Sequence, residues 1–174
     1  FEIQRKKLSE KWNTKCFIPY FQAHTNTYAP LSQLKTIFEE ALALQNVVGL
    51  RIATRADCLP GEVVSYLKEL SERTDLVVEL GLQTTHDSTA ERINRCHSYQ
   101  DFIDGYEKLM SASIPVCIHL IDGLPGESHA DMLSSIRKVA GLHPFSVKLH
   151  LLHVLQGTHL AECYKAGRYE PLSR

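Results

Sequence analysis

Five short apolar runs, at 16–23, 49–55, 76–83, 115–122 and 146–152, alternate with stretches of helical period, and this alternation limits what the chain can fold into. Leu34, Ile37, Phe38, Ala41 and Leu42 share one helical face, as do Val63, Val64, Leu67 and Leu70. The same spacing recurs at Phe102, Tyr106, Leu109 and Met110, and again at Met132, Leu133, Ile136, Val139 and Ala140. Pro60 suits a helix start, where its missing N–H costs nothing. A shorter helix is expected within 85–95. With no hairpin signal between the runs, consecutive strands join through helical crossovers, which requires a parallel sheet.

The strands also alternate internally. A flat parallel sheet covered by helices on both sides has strands apolar on both faces. Here Val78, Leu80 and Leu82 oppose Glu79, Gly81 and Gln83; Val116, Ile118 and Leu120 oppose Cys117 and His119; Val147, Leu149 and Leu151 oppose Ser146, Lys148 and His150. Gln22 closes the first run and Arg55 the second. Polar groups thus gather on one side of the sheet, near the strands' carboxyl ends. A barrel or curled half-barrel with a site at its C-terminal mouth accounts for this better than a doubly wound sheet.

At 174 residues, 44% of them hydrophobic, the chain can bury one core, and a formal net charge of −1 gives no global attraction to nucleic acid or an anionic membrane. No apolar run reaches the roughly 18 residues a membrane-spanning helix needs, so a cytoplasmic protein is expected. The five cysteines, Cys16, Cys58, Cys96, Cys117 and Cys163, are scattered and odd in number. That fits a reducing compartment and supplies no local metal motif. The chain starts at Phe1, and residues 1–14 read as a poorly structured or linker lead-in to a single domain over 15–174.

Three motifs carry chemistry. In Glu79-Leu80-Gly81-Leu82-Gln83, followed by Ile93-Asn94-Arg95, Glu79 is a strand carboxylate on the polar face, which needs a partner or a raised pKa. The segment from His119 through Ile121, Asp122 and Gly123 to Gly126 has the glycines of a strand-to-helix turn that lets backbone approach a ligand. Lys148 and His150 place two inward polar groups in succession on the last strand.

In this order, and together with Tyr20-Phe21-Gln22 and Ala53-Thr54-Arg55, the motifs resemble the radical S-adenosylmethionine (SAM) superfamily. They look like one bacterial subgroup near the oxygen-independent coproporphyrinogen oxidases and the elongator-type tRNA-modifying enzymes, and the resemblance runs from about Tyr20 to Gly167. The resemblance implies a partial (β/α)6 barrel, here without its first strand. It also implies SAM on a four-iron, four-sulfur (4Fe–4S) cluster whose reduction yields a 5′-deoxyadenosyl radical. The cluster's three cysteines are expected before Phe1, leaving this piece inactive by itself.

By motif position Gln22 would hold the SAM amino group, although the usual Gly-Gly-Glu is absent. Gln83 and Arg95 would bind the ribose and carboxylate, His119 would be a polar SAM contact, and Ile121 with Gly123 would pack near adenine. Thr54 stands where relatives often carry an acidic residue. Glu79, Arg55, Lys148 and His150 are candidate substrate contacts. An electron donor such as flavodoxin or ferredoxin and a tRNA substrate also follow from the likeness.

Two other readings stay open. Lys148 on a barrel strand could serve a Schiff-base aldolase, with His150 or Glu79 as proton shuttle. Alternatively the chain is a non-catalytic SAM-binding or scaffolding piece that dimerises through the open edge at Gln22's strand.

Overall fold

β-branched and leucine-rich runs pair in parallel only if each connection crosses over the sheet, and the amphipathic segments between them supply those crossovers. The computed structural model describes residues 2–172. Residues 1, 173 and 174, at the ends of the two expected segments, lie outside the described residues. Strands β1 (Tyr20–Phe21), β2 (Gly49–Thr54), β3 (Asp75–Gln83), β4 (Val116–Asp122) and β5 (Ser146–Leu151) form one sheet in chain order, each neighbouring pair parallel. The helices are α1 (Glu2–Lys11), α2 (Leu31–Leu42), α3 (Gly61–Ser71), α4 (Asp87–Arg92), α5 (Tyr99–Ser111), α6 (His129–Gly141) and α7 (His159–Lys165).

Two expectations are corrected. The lead-in over 1–14 carries α1, because its Lys, Glu, Gln, Arg and Leu residues favour helix intrinsically even though they make no apolar stripe. The first run, expected over 16–23, shrinks to Tyr20–Phe21 and an isolated bridge between Phe17 and Val47. Pro19 interrupts it by lacking the N–H that a continuous ladder requires.

The core lies on the helix side of the sheet. Val78, Leu80, Leu82, Val116, Ile118 and Leu120 are at most 2% exposed, packed with Leu34, Phe38, Leu67, Leu70, Phe102, Leu109 and Val139. Each such side chain contributes about 1.5–3 kcal/mol through burial. The ends of α5 and α6 are set by capping boxes, Ser98 with Asp101 and Ser128 with Asp131, which satisfy N-terminal amides that the helices leave unpaired. Gly105 lets α5 approach the turn after β2, since a Cβ there would run into the Ala56 carbonyl and lie 2.7 Å from the Ala56 Cβ.

The sheet is curled. In a flat sheet, strands four positions apart lie about 19 Å from one another. Yet the Lys148 Nζ of β5 sits 4.6 Å from the Tyr20 ring centroid of β1, and both side chains reach Glu79 on β3. Only a concave face brings the outer strands together in this way, and the polar parity of the strands lines that face.

Candidate functional site

Glu79 stands at the centre of the concave face, in register with Cys117 of β4. Its side chain is 5% exposed, and one oxygen, Oε2, accepts hydrogen bonds from Tyr20 Oη at 2.6 Å, Lys148 Nζ at 2.6 Å and His119 Nε2 at 2.7 Å. Burial opposes ionisation of Glu79, but the bonds from Lys148, Tyr20 and His119 outweigh it and hold the carboxyl below its ordinary value. Burial, reinforced by the adjacent Glu79 carboxylate, pushes the Tyr20 phenol well above its ordinary value. His119 is held down by burial despite Glu79's opposing pull, so its imidazole favours the neutral form.

Above this network opens a cavity of about 440 Å³. Gln22, Thr54, Arg55, Glu79, Gln83, Arg95, His119 and His150 line it, with Tyr20 and Gly81 among the others. The structure thus gathers eight of the eleven residues singled out from the sequence. Lys148 touches the network from below through Glu79. Ile121 and Gly123 are not among the residues that line the cavity. Gly123 turns the chain at φ +84°, its carbonyl takes a hydrogen bond from Tyr169 Oη at 2.8 Å, and Leu172 packs where a Cβ would project.

Backbone geometry at the end of β3 aims two of the lining groups. The β3–β4 register breaks between Gly81 and Gln83, and Gln83 takes φ +76°. A Cβ on Gly81 would lie 2.8 Å from Gln83 Nε2 and 2.9 Å from Arg95 Nη2, so glycine makes room for both side chains. Arg95, in the turn after α4, donates from Nη2 to the Gly81 carbonyl, while its Nε is buried without a partner. Burial, and then the charge of Arg55, pulls the guanidinium below its ordinary value. A half-buried cation with one buried, unsatisfied donor calls for an anion.

Arg55 itself is committed to Asp57, with Nε at 2.8 Å and Nη2 at 2.6 Å from the carboxylate oxygens. Thr54 Oγ1 lies 2.5 Å from Thr27 Oγ1, which also donates to the Cys58 carbonyl, so this hydroxyl braces the loop after β1. Sequence reasoning missed Tyr20 as a site residue. Its position at the head of the first strand motif was visible, but its reach to Glu79 depends on the curl. His97, the other residue with a buried unpartnered side-chain nitrogen among the described residues, lines a separate cavity beside Asp87 and Cys96.

Glu79, Cys117 and His119 bring ligand atoms within 4.8 Å of one another, the span of a metal site. The Lys148 ammonium already occupies the Glu79 oxygen, and burial pushes the Cys117 thiol up, against the thiolate a metal requires. The cluster is chemically an ion-paired hydrogen-bond network. No other such grouping of three ligands occurs among the described residues, so these cysteines do not assemble a 4Fe–4S site.

A curled parallel β/α sheet with its polar groups at the strands' carboxyl ends has the architecture of the β/α-barrel class. The chain belongs to the radical SAM superfamily, whose family model, described as "Radical SAM superfamily", matches residues 20–139. It is 49% identical over 174 residues to the uncharacterized protein YtqA of Bacillus subtilis (strain 168), covering all of this chain and 54% of that protein. It is 34% identical over 128 residues to a tRNA uridine(34) acetyltransferase of Methanocaldococcus jannaschii, covering 71% of this chain and 23% of the relative. Among solved structures, the archaeal Methanocaldococcus infernus Elp3 with an N-terminal deletion superposes with a TM-score of 0.79 at 20% identity, over 98% of this chain and 45% of that one. The chain spans about half the length of YtqA. No helix among the described residues is long and apolar enough to cross a membrane.

Proposed function

We propose that the cavity over Glu79 binds SAM and that the full-length protein is a radical SAM enzyme. The observation that carries this reading is Arg95, whose buried, unpartnered Nε beside Gly81 and Gln83 suits a carboxylate ligand. Arg95 would take the SAM carboxylate, Gln83 the ribose and Gln22 the amino group, with Thr54 at the cavity wall. His119 has both ring nitrogens engaged within the protein, at Glu79 and His150, and would meet the ligand through its ring. Ile121 and Gly123 would pack near adenine, Gly123 only if Leu172 and Tyr169, which lie against it, give way. When SAM and a reduced 4Fe–4S cluster are bound, this superfamily's chemistry supplies a 5′-deoxyadenosyl radical. The residues described here do not hold the cluster, and their own part is to orient SAM, keep water from it and fix the charge on the cavity floor.

Equilibrium binding tests this directly. Isothermal titration of SAM into the anaerobically reconstituted full-length protein should give saturable binding, weakened at least about tenfold by R95A through loss of a charge-assisted contact. Undiminished affinity in R95A would overturn the assignment. A cluster reducible by dithionite, with an EPR signal that shifts on adding SAM, is expected in the same material, and a flavodoxin or ferredoxin is the expected physiological reductant.

The likeness to a protein named as a tRNA uridine(34) acetyltransferase supports a tRNA base as substrate. Modified nucleosides from cells with and without the gene should differ, and an unchanged profile would sink the tRNA assignment. The aldolase reading is not favoured, because Lys148 is tied to Glu79 at 2.6 Å and a Schiff-base lysine must present a free amine.

A further inference from the structure

The network under the cavity has a direction of proton flow built into it. Glu79 is ionised and can only accept, so His119 donates to it from Nε2. A neutral imidazole with its proton on Nε2 has an acceptor at Nδ1. That nitrogen faces His150 Nε2 at 3.3 Å, and the two rings lie 5.0 Å apart. His150 therefore donates from Nε2, which leaves its own Nδ1 as a base. His150 lines the cavity.

We propose that Glu79, His119 and His150 form a proton relay in which His150 is the acid–base group for the molecule held in the cavity. The proposal rests on the cavity being the reaction site and adds a proton path that hydrogen-atom abstraction does not itself provide. In the forward step an acidic X–H of the substrate gives its proton to His150 Nδ1, and X keeps the electron pair. The Nε2 proton of His150 passes to His119 Nδ1. The resulting His119 cation is held against the Glu79 carboxylate, which takes no proton itself. Reversal returns a proton to the product.

The surrounding groups suit this role. Lys148 balances the Glu79 charge, so the pair is neutral and one added proton on the histidines is the only net charge. Tyr20, from β1, completes the shell on Oε2. Cys117, beside Glu79 on β4, stays a neutral thiol because burial pushes it up. At the rim, Arg55 is neutralised by Asp57, and Arg95 is the remaining cation. The relay supplies a substrate class, one whose conversion gains or loses a proton as well as a hydrogen atom.

Long-range ¹H–¹⁵N spectra of the full-length protein carrying ¹⁵N-histidine read the relay without any turnover. At pH 7.5 His119 should carry its proton on Nε2. H150Q, on an exposed strand, should move the His119 Nδ1 resonance and leave Nε2 in place, and E79Q should abolish the preference for Nε2. A His119 protonated on Nδ1, or a His119 Nδ1 resonance that H150Q leaves in place, would overturn the relay. SAM titrations on the same samples separate the two readings: expected tautomers without SAM binding remove SAM and keep the relay, whereas SAM binding with the wrong tautomer does the reverse.

Discussion

At the scale of single residues, the site is a problem of burying charge. Glu79, His119 and His97 all lie where water is scarce, and each has responded as its chemistry requires: the carboxyl by gathering donors, the imidazoles by favouring neutrality. The sign of the pH dependence follows. For His119 and His97, burial pulls the folded value below the ordinary 6.5, so between the two values the unfolded chain binds more protons. Stability is therefore complete above about pH 6.5 and falls as pH drops below it. A second loss begins below the ordinary carboxylate values, as Glu79 and Asp57, both held low in the fold, must be protonated. Urea unfolding followed by circular dichroism should show a lower midpoint at pH 5 than at pH 7.5, and H119Q should flatten that difference. An equal pH slope in H119Q would show that His119 is not one of the groups responsible.

At the scale of elements, helix α5 holds the turn after β2, and two features of it can be separated. Its capping box contributes through hydrogen bonds to the first turn, so S98A should cost about 1 kcal/mol. Gly105 contributes through closeness, since an added methyl meets the Ala56 backbone rather than a movable side chain. G105A should cost about 1–3 kcal/mol by overpacking, despite alanine's better helix propensity. Chemical denaturation of both variants measures this, and a stabilised G105A would mean that α5 slides away from Ala56 at no cost.

At the scale of the whole molecule, the sheet has two edges, and they are unequal. The exposed edge expected at the first strand is there, since β1 ends the sheet, but it is two residues long, whereas β5 at the other end presents six. The helix-side residues Val147, Leu149 and Leu151 of β5 are 42–54% exposed, with Phe145 at 66%. An apolar row on an open strand edge favours association with another chain. The 174-residue chain should self-associate in sedimentation velocity as concentration rises, and L149K should suppress this. Association unchanged by L149K would place the contact elsewhere.

The parts legible beforehand were those set by local spacing. The order β, α, β, the parallel direction, the apolar side of β3 and β4 and the polar side that carries Glu79, Gln83, His119, Lys148 and His150 all follow from periods of 2 and 3.6 residues, which any reader of the chain can count. Helix α1 was hidden because intrinsic propensity without an apolar face leaves no pattern, and β1 was overestimated because a run interrupted by Pro19 still looks apolar. The curl of the sheet decided the rest. It carries Tyr20 and Lys148 from opposite edges to one oxygen of Glu79, turns His119 toward His150 and leaves Arg95 Nε buried without a partner. Those contacts join residues 31 to 69 positions apart or depend on what fails to fill a space. Local sequence pattern records neither, because both are properties of the closed surface rather than of any segment.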